Sequence, residues 1–138
     1  MNFSINRIDR FSMLPASGKI MEITITPLDG FSVVRPYGKI DAFNAPQLKE
    51  SLNDLLNHGE KKVIIDFSGV SCIGRPGLQV ILETAKQLHS DGRLALCQMN
   101  REVLSIVEMV GFTKIINLYD DLESAQAAVH CPEFNHYA

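Results

Sequence analysis

The stretch from Val63 to Leu82, VIIDFSGVSCIGRPGLQVIL, constrains the fold more than any other part of the chain. It opens on Val63, Ile64 and Ile65, a continuous apolar run with no polar alternation. A run of this kind belongs to a strand covered on both faces. Small and turn-forming residues follow, and then a second apolar run with helical spacing begins near Pro76. The stretch therefore reads as strand, loop, helix. The segment Gly74-Arg75-Pro76-Gly77 falls where a parallel strand hands over to a helix, and in open α/β sheets ligands and partners meet the fold at such carboxyl ends.

The flanking sequence supplies the cover that this strand needs. Met21 opens a segment in which Ile23 and Ile25 alternate with Glu22, Thr24 and Thr26, as in a half-buried strand. Pro27 to Gly30 makes a turn into a second strand over Phe31–Tyr37, so an antiparallel hairpin is expected. Gly38 to Asp41 leads into a helix with Asn44 as N-cap and Pro46 in its first turn. Ala45, Leu48, Leu52, Leu55 and Leu56 form its buried stripe, and His58-Gly59 ends it. The helix near Pro76 directs Leu78, Ile81, Leu82, Ala85 and Leu88 inward and stops near Ser90-Asp91-Gly92. A strand over Arg93–Cys97 follows, then a helix capped by Asn100, with Val103, Leu104, Val107 and Val110 inward and Gly111 as terminator. Ile115–Leu118 reads as the last strand and Asp121–Val129 as the last helix. Strands alternating with helices imply parallel crossovers. The expected fold class is α/β: one domain over 21–130 with a mixed, mostly parallel sheet, an N-terminal antiparallel hairpin and four packed helices. Residues 1–20 are expected to be an N-terminal extension and 131–138 a C-terminal tail.

Composition narrows the chemistry. At 138 residues and 46% hydrophobic content, the chain can bury one substantial core. A net charge of −3, with Lys61-Lys62 as the only adjacent basic pair, argues against nucleic acid or an anionic membrane as partner. No apolar run approaches the ~20 residues needed to span a bilayer, and the first residues lack the apolar centre of a secretory signal. A soluble cytoplasmic protein without direct membrane insertion is expected. Cys72, Cys97 and Cys131 form no CxxC pair and read as small hydrophobes, and no His lies in a short motif with an acid or thiol. No metal site and no cofactor are expected. GxSxG, GxxxxGK[ST], HExxH and GxGxxG are all missing, and Asp29, Asp41, Asp66, Asp91, Asp120 and Asp121 form no recognisable acid/base pair. The expectation is a protein that is not an enzyme. Asp120-Asp121 introduces the last helix, where acidic groups suit the positive end of the dipole.

A helix start leaves backbone N–H groups unpaired, and Pro76 suits the first turn because its missing N–H is not needed there. Gly74 and Gly77 give the backbone room for close approach by another molecule. Several motifs, in order, are similar to those of a known family: MEITI at the start, GKIDAFNAPQLKESL around Asp41, DFSGVSCI, the pair Gly77-Leu78, and VEMVGFTKIINLYDDLESAQAAV near the end. Over about residues 21–130 the chain resembles a STAS domain, the module shared by bacterial anti-sigma-factor antagonists and the cytoplasmic tails of sulphate transporters. The fold implied agrees with the element order above.

The resemblance implies a switchable binding module. In the antagonists the matched segment typically reads Asp-Ser-Ser/Thr-Gly-Leu, and the first Ser is phosphorylated by an anti-sigma factor that is a kinase-like ATP-binding protein. The unphosphorylated antagonist binds that kinase and frees the sigma factor. A phosphate brings about −1.5 to −2 charges into the docking surface and releases the complex. Aligned on Gly77-Leu78, this chain has Gly74, Arg75 and Pro76 where the family has Asp, Ser and Ser/Thr. Arg75 cannot accept a phosphate in that chemistry, so the usual switch is expected to be absent, with Ser71 as a fallback acceptor. Asp41, Asn44, Gly74, Arg75, Pro76 and Gly77 are the implied partner-binding residues, with a salt link between Asp41 and Arg75 as one arrangement. Arg75 itself has two readings, a solvent-exposed residue left after loss of the switch or a guanidinium that engages a partner carboxylate or phosphate. The implied partner is an anti-sigma factor or kinase-like regulator. The alternatives are a STAS accessory subunit of a membrane transporter or signalling complex, and a nucleotide-binding STAS domain.

Overall fold

The computed structural model describes residues 21–88 and 92–129. Its strands are β1 (Ile23–Leu28), β2 (Phe31–Pro36), β3 (Gly38–Ile40), β4 (Lys62–Asp66), β5 (Val70–Ile73), β6 (Arg93–Cys97) and β7 (Asn117–Tyr119). Its helices are α1 (Ala45–Asn57), α2 (Arg75–Leu88), α3 (Arg101–Met109) and α4 (Leu122–Val129), with a 3-10 turn over Phe112–Lys114. Five strands form the main sheet in the order β1-β2-β4-β6-β7. β1 runs antiparallel to β2, and every other pairing in the sheet is parallel. The α/β class, the hairpin, the parallel core and the four helices agree with the sequence reading.

Val63, Ile64 and Ile65 are fully buried in the central strand, and their lack of alternation follows from cover on both faces. Val63 and Ile65 belong to the larger core, with Leu48 and Leu52 of α1, Ile81 of α2, and Val103 and Val107 of α3. Ile64 points to the opposite face, where Phe31, Val33, Ala95 and Cys97 meet Ala125 and Val129 of α4. The start of β1 is fastened to α1 by two bonds: Met21 N–H donates to Gln47 Oε1 (3.0 Å) and Gln47 Nε2 donates to the Met21 carbonyl (2.6 Å).

Several local expectations need correction. Gly38–Ile40 and Val70–Ile73, read from the sequence as connectors, are strands that pair in parallel as a separate two-stranded sheet. They are too short to show a period, so residue pattern could not reveal them. The last strand is Asn117–Tyr119 rather than Ile115–Leu118, because the 3-10 turn shifts the chain and leaves Ile115 exposed and Ile116 buried. Pro27 lies within β1, which an edge strand tolerates. The expected segments 1–20 and 131–138, Cys131, and the helix stop at Ser90-Asp91 lie outside the described residues.

Candidate functional site

The paired strands β3 and β5 bring two loops together at their carboxyl ends. Ile40 stands opposite Ile73 in the register, and the Gly74 N–H donates to the Ile40 carbonyl at 2.9 Å. The loop 41–44 before α1 and the turn before α2 are therefore neighbours, as a topology with parallel strand ends requires.

The 41–44 loop is held by reciprocal side-chain bonds. Asn44 Oδ1 accepts from the Asp41 N–H (2.8 Å), while Asp41 Oδ1 accepts from the N–H groups of Phe43 (3.0 Å) and Asn44 (3.2 Å). Asn44 Nδ2 donates to the Lys39 carbonyl (2.8 Å). Asn44 does occupy the N-cap position of α1, but its side chain turns back into the loop and caps no helical N–H. The Asp41 carboxylate is thus engaged within its own loop, and the expected salt link to Arg75 does not form; the ion pairs among the described residues are Arg35–Asp66 and Lys49–Glu83. What this loop presents outward is Phe43, 84% exposed.

On the neighbouring turn, Gly74 precedes the helix and its carbonyl accepts from the N–H groups of Gly77 (3.0 Å) and Leu78 (3.1 Å). α2 starts at Arg75, and Arg75 and Pro76 in its first turn are exposed. Gly77 lies below the surface. It is buried, and a Cβ there would come within 2.5 Å of Ile40 Cγ2 and 2.8 Å of Ile73 Cγ1. Glycine at 77 lets α2 settle onto β3 and β5, which is internal packing rather than room for another molecule. Ser71 is exposed on β5, upstream of the turn.

Two features of this face lay beyond the sequence reading. Phe43, an apolar residue inside a polar loop, was a visible signal. The second is an apolar groove of about 440 Å³ between α2 and α3. Leu78 and Leu82 of α2, Ile106 of α3 and the adjoining Val110 line it, with buried Ile73 and Phe112, and Arg75 stands among its lining residues. Leu82 and Val110 were both expected inward; Leu82 is half-buried and Val110 is 49% exposed, because α2 packs on α1 while α3 packs on β5 and the 3-10 turn. Asn100 sets the position of α3. Its Oδ1 accepts from the Val103 N–H (2.8 Å), and its Nδ2 reaches the carbonyls of Val70 (3.3 Å) and Ser71 (3.1 Å) on β5.

Away from this face, Asp66 and Cys97 lie in the core. Asp66 is fully buried and pairs with Arg35 at 2.6 Å. Burial pushes the Cys97 thiol up to about 12, aided by the nearby Asp66 charge, which leaves it protonated and unreactive at neutral pH. Among the described residues no group of three or more His, Cys, Asp or Glu side chains is arranged to hold a metal ion, and no helix is long and apolar enough to cross a membrane.

The sequence from residue 22 to 125 matches the model of the STAS domain. The chain belongs to the STAS domain family. This STAS domain is 33% identical over 109 residues to BtrV of Bordetella bronchiseptica, provisionally named an anti-sigma factor antagonist, covering 78% of this chain and 94% of that one. Its fold is similar to the crystal structure of a provisionally assigned anti-sigma factor antagonist of Thermotoga maritima (TM-score 0.76, 25% identity, 79% of this chain and 95% of that one). It is also similar to an anti-sigma factor antagonist of Mycobacterium paratuberculosis (TM-score 0.73, 25% identity, 80% and 95%). In this STAS domain Gly74 precedes α2, and Arg75 and Pro76 stand in the first turn of that helix.

Proposed function

We propose that this STAS domain is an anti-sigma-factor antagonist that acts in the cytoplasm by binding, not catalysis, and that it engages an anti-sigma factor or kinase-like regulator without phosphorylation at the usual position. The observation that carries this reading is its kinship with BtrV over nearly the whole length of that relative. The partner-facing surface is the joined loop face: Phe43 on the loop braced by Asp41 and Asn44, and Arg75 and Pro76 on the turn that Gly74 begins.

The missing switch follows from side-chain chemistry. Phosphoryl transfer of the hydroxyl type needs an oxygen nucleophile, and a guanidinium offers only donors and a permanent positive charge. With Arg75 in that place, the complex is governed by the concentrations and affinity of the two proteins.

The test uses the purified full chain and the purified kinase-like anti-sigma factor of the same cell. Calorimetry should give a defined complex, and incubation with ATP should leave the wild-type chain without phosphate. A Gly74→Asp/Arg75→Ser/Pro76→Ser variant should take up phosphate under the same conditions. Phosphate on the wild type would overturn the unswitched reading, and mapping it to Ser71 would identify the acceptor.

A further inference from the structure

We propose that residues 1–20 fold back onto the loop face of their own domain, setting apolar side chains on Phe43, and so compete with the anti-sigma factor for that surface. The competition rests on the antagonist reading; the contact itself does not.

The place where these residues join the domain carries the argument. β1 runs antiparallel to β2 with Ile23 opposite Pro36, so the chain enters the sheet at the carboxyl ends of the parallel strands. The 41–44 loop and the turn at Gly74 stand at that same end. The entry point is also fixed. The Gln47 side-chain amide bonds both the N–H and the carbonyl of Met21, which is buried. Gln47 in turn donates its backbone N–H to the Asn44 carbonyl at 3.0 Å. Two hydrogen-bonded steps therefore lead from Met21 to the loop that displays Phe43.

Reach and chemistry agree with this placement. Pro15-Ala16-Ser17-Gly18 puts turn-forming residues between Leu14 and Met21, a stretch that spans at most about 25 Å when extended. Phe3, Ile5, Ile8, Phe11, Met13 and Leu14 are large apolar side chains, and a segment this short cannot bury them by itself. On the domain side, Phe43 is 84% exposed on a loop whose backbone is braced by Asp41 and Asn44. A displayed ring on a held backbone is a seat for apolar side chains. The tether decides between this segment and a second copy of the chain: a short connector gives an effective concentration on the order of millimolar, above that of free chains in a micromolar solution. The match to the family model begins at residue 22, so the contact would be a property of this chain and not of the domain.

Photocrosslinking in the full chain tests the contact without any partner. With Phe43 replaced by the photoreactive p-benzoylphenylalanine, irradiation should join position 43 to residues 3–14, as mapped by mass spectrometry. A mixture of isotope-labelled and unlabelled chains shows whether each bond lies within one chain. Ile8→Asp/Phe11→Asp should abolish these bonds, whereas Ser4→Ala should leave them. Bonds confined to the 41–44 loop and α1, or bonds between chains, would overturn the proposal.

Titration of the otherwise native chain with the purified anti-sigma factor tests the competition. Apparent affinity scales with the fraction of molecules whose face is open, so Ile8→Asp/Phe11→Asp should bind about threefold or more tighter than wild type. Equal affinity would overturn the competition. Circular dichroism of the variants confirms that the domain is folded. If the crosslinks form but neither wild type nor the double variant binds the anti-sigma factor, the antagonist reading fails and the contact stands. If both bind equally and no crosslink forms, the contact fails and the antagonist reading stands.

Discussion

Arg35 donates from both Nε (2.9 Å) and Nη2 (2.6 Å) to a single oxygen of the fully buried Asp66. The other carboxylate oxygen accepts from the Ser68 N–H (2.9 Å), and the Gln98 amide lies within 3.2 and 3.3 Å of the two oxygens. Gln98 reaches there from a left-handed backbone conformation (φ 59°) just after β6. The bond network thus ties the ends of three neighbouring strands, β2, β4 and β6.

Removing the carboxylate should be costly. Asp66→Ala strips three partners of their acceptor, and because the Arg35 side chain keeps 30% exposure and can turn to water, the expected loss is about 2–3 kcal/mol in urea unfolding. The acid limb carries a second signature. Burial raises the Asp66 pKa, but the Ser68 N–H and Arg35 together outweigh it and hold the carboxylate below its ordinary value of 3.8. Between 3.8 and that lower pKa the unfolded chain binds the proton and the native chain does not, so stability falls as pH falls through this window and is fully present above it. Asp66→Ala should show a shallower acid limb, retaining the contribution of Asp121, which the Ser124 N–H also holds low. Equal slopes for the two proteins would refute the assignment.

The two glycines of the GRPG turn should respond oppositely. Gly77→Ala forces a methyl against Ile40 and Ile73, and although alanine favours helix by up to about 1 kcal/mol, overpacking should leave a net loss of about 1–2 kcal/mol. At Gly74 a Cβ meets nothing nearer than 3.6 Å, so Gly74→Asp should fold normally and gain a few tenths of a kcal/mol, on the order of an N-cap replacement of glycine. Paired thermal melts decide both.

Asn100 holds two elements at once. Asn100→Ala should lose about 1–2 kcal/mol, from the α3 cap and the link to the Val70 and Ser71 carbonyls. Asn100→Asp keeps the cap and loses the donor, so it should fall between. Hydrogen exchange should then speed up at the first turn of α3.

Phe43 separates stability from binding. With a side chain 84% exposed, Phe43→Ala should change unfolding free energy by less than about 0.5 kcal/mol. Its affinity for the anti-sigma factor should drop by about tenfold if the loop face is the contact, as for an aromatic anchor. Unaltered affinity would remove Phe43 from that face.

The parts of the fold with a strong period could be read from residues. Val63-Ile64-Ile65 marked the central strand, the leucines from Leu48 to Leu56 marked α1, and Asn100 and Gly111 bounded α3 as expected, with Gly111 at φ 83°. β3 and β5 escaped because three- and four-residue strands outside the main sheet carry no distinctive pattern. The site divided along the same line. The exposure of Arg75 and Pro76 accords with the loop reading, whereas the engagement of Asp41, the burial of Gly77 and the opening beside Leu82 and Val110 depend on which loops and helices become neighbours. That is tertiary information, and no local window contains it.

The bond from Gly74 N–H to the Ile40 carbonyl has a further consequence. It joins the two loops at their bases, so the backbones that carry Phe43 and Arg75 are linked before any partner arrives. Docking then involves little loss of backbone freedom on this side, and the entropy that a mobile loop would surrender is already spent in folding. Variation in complex lifetime should therefore come from the contacts themselves, with association rates nearly constant across surface variants that preserve charge.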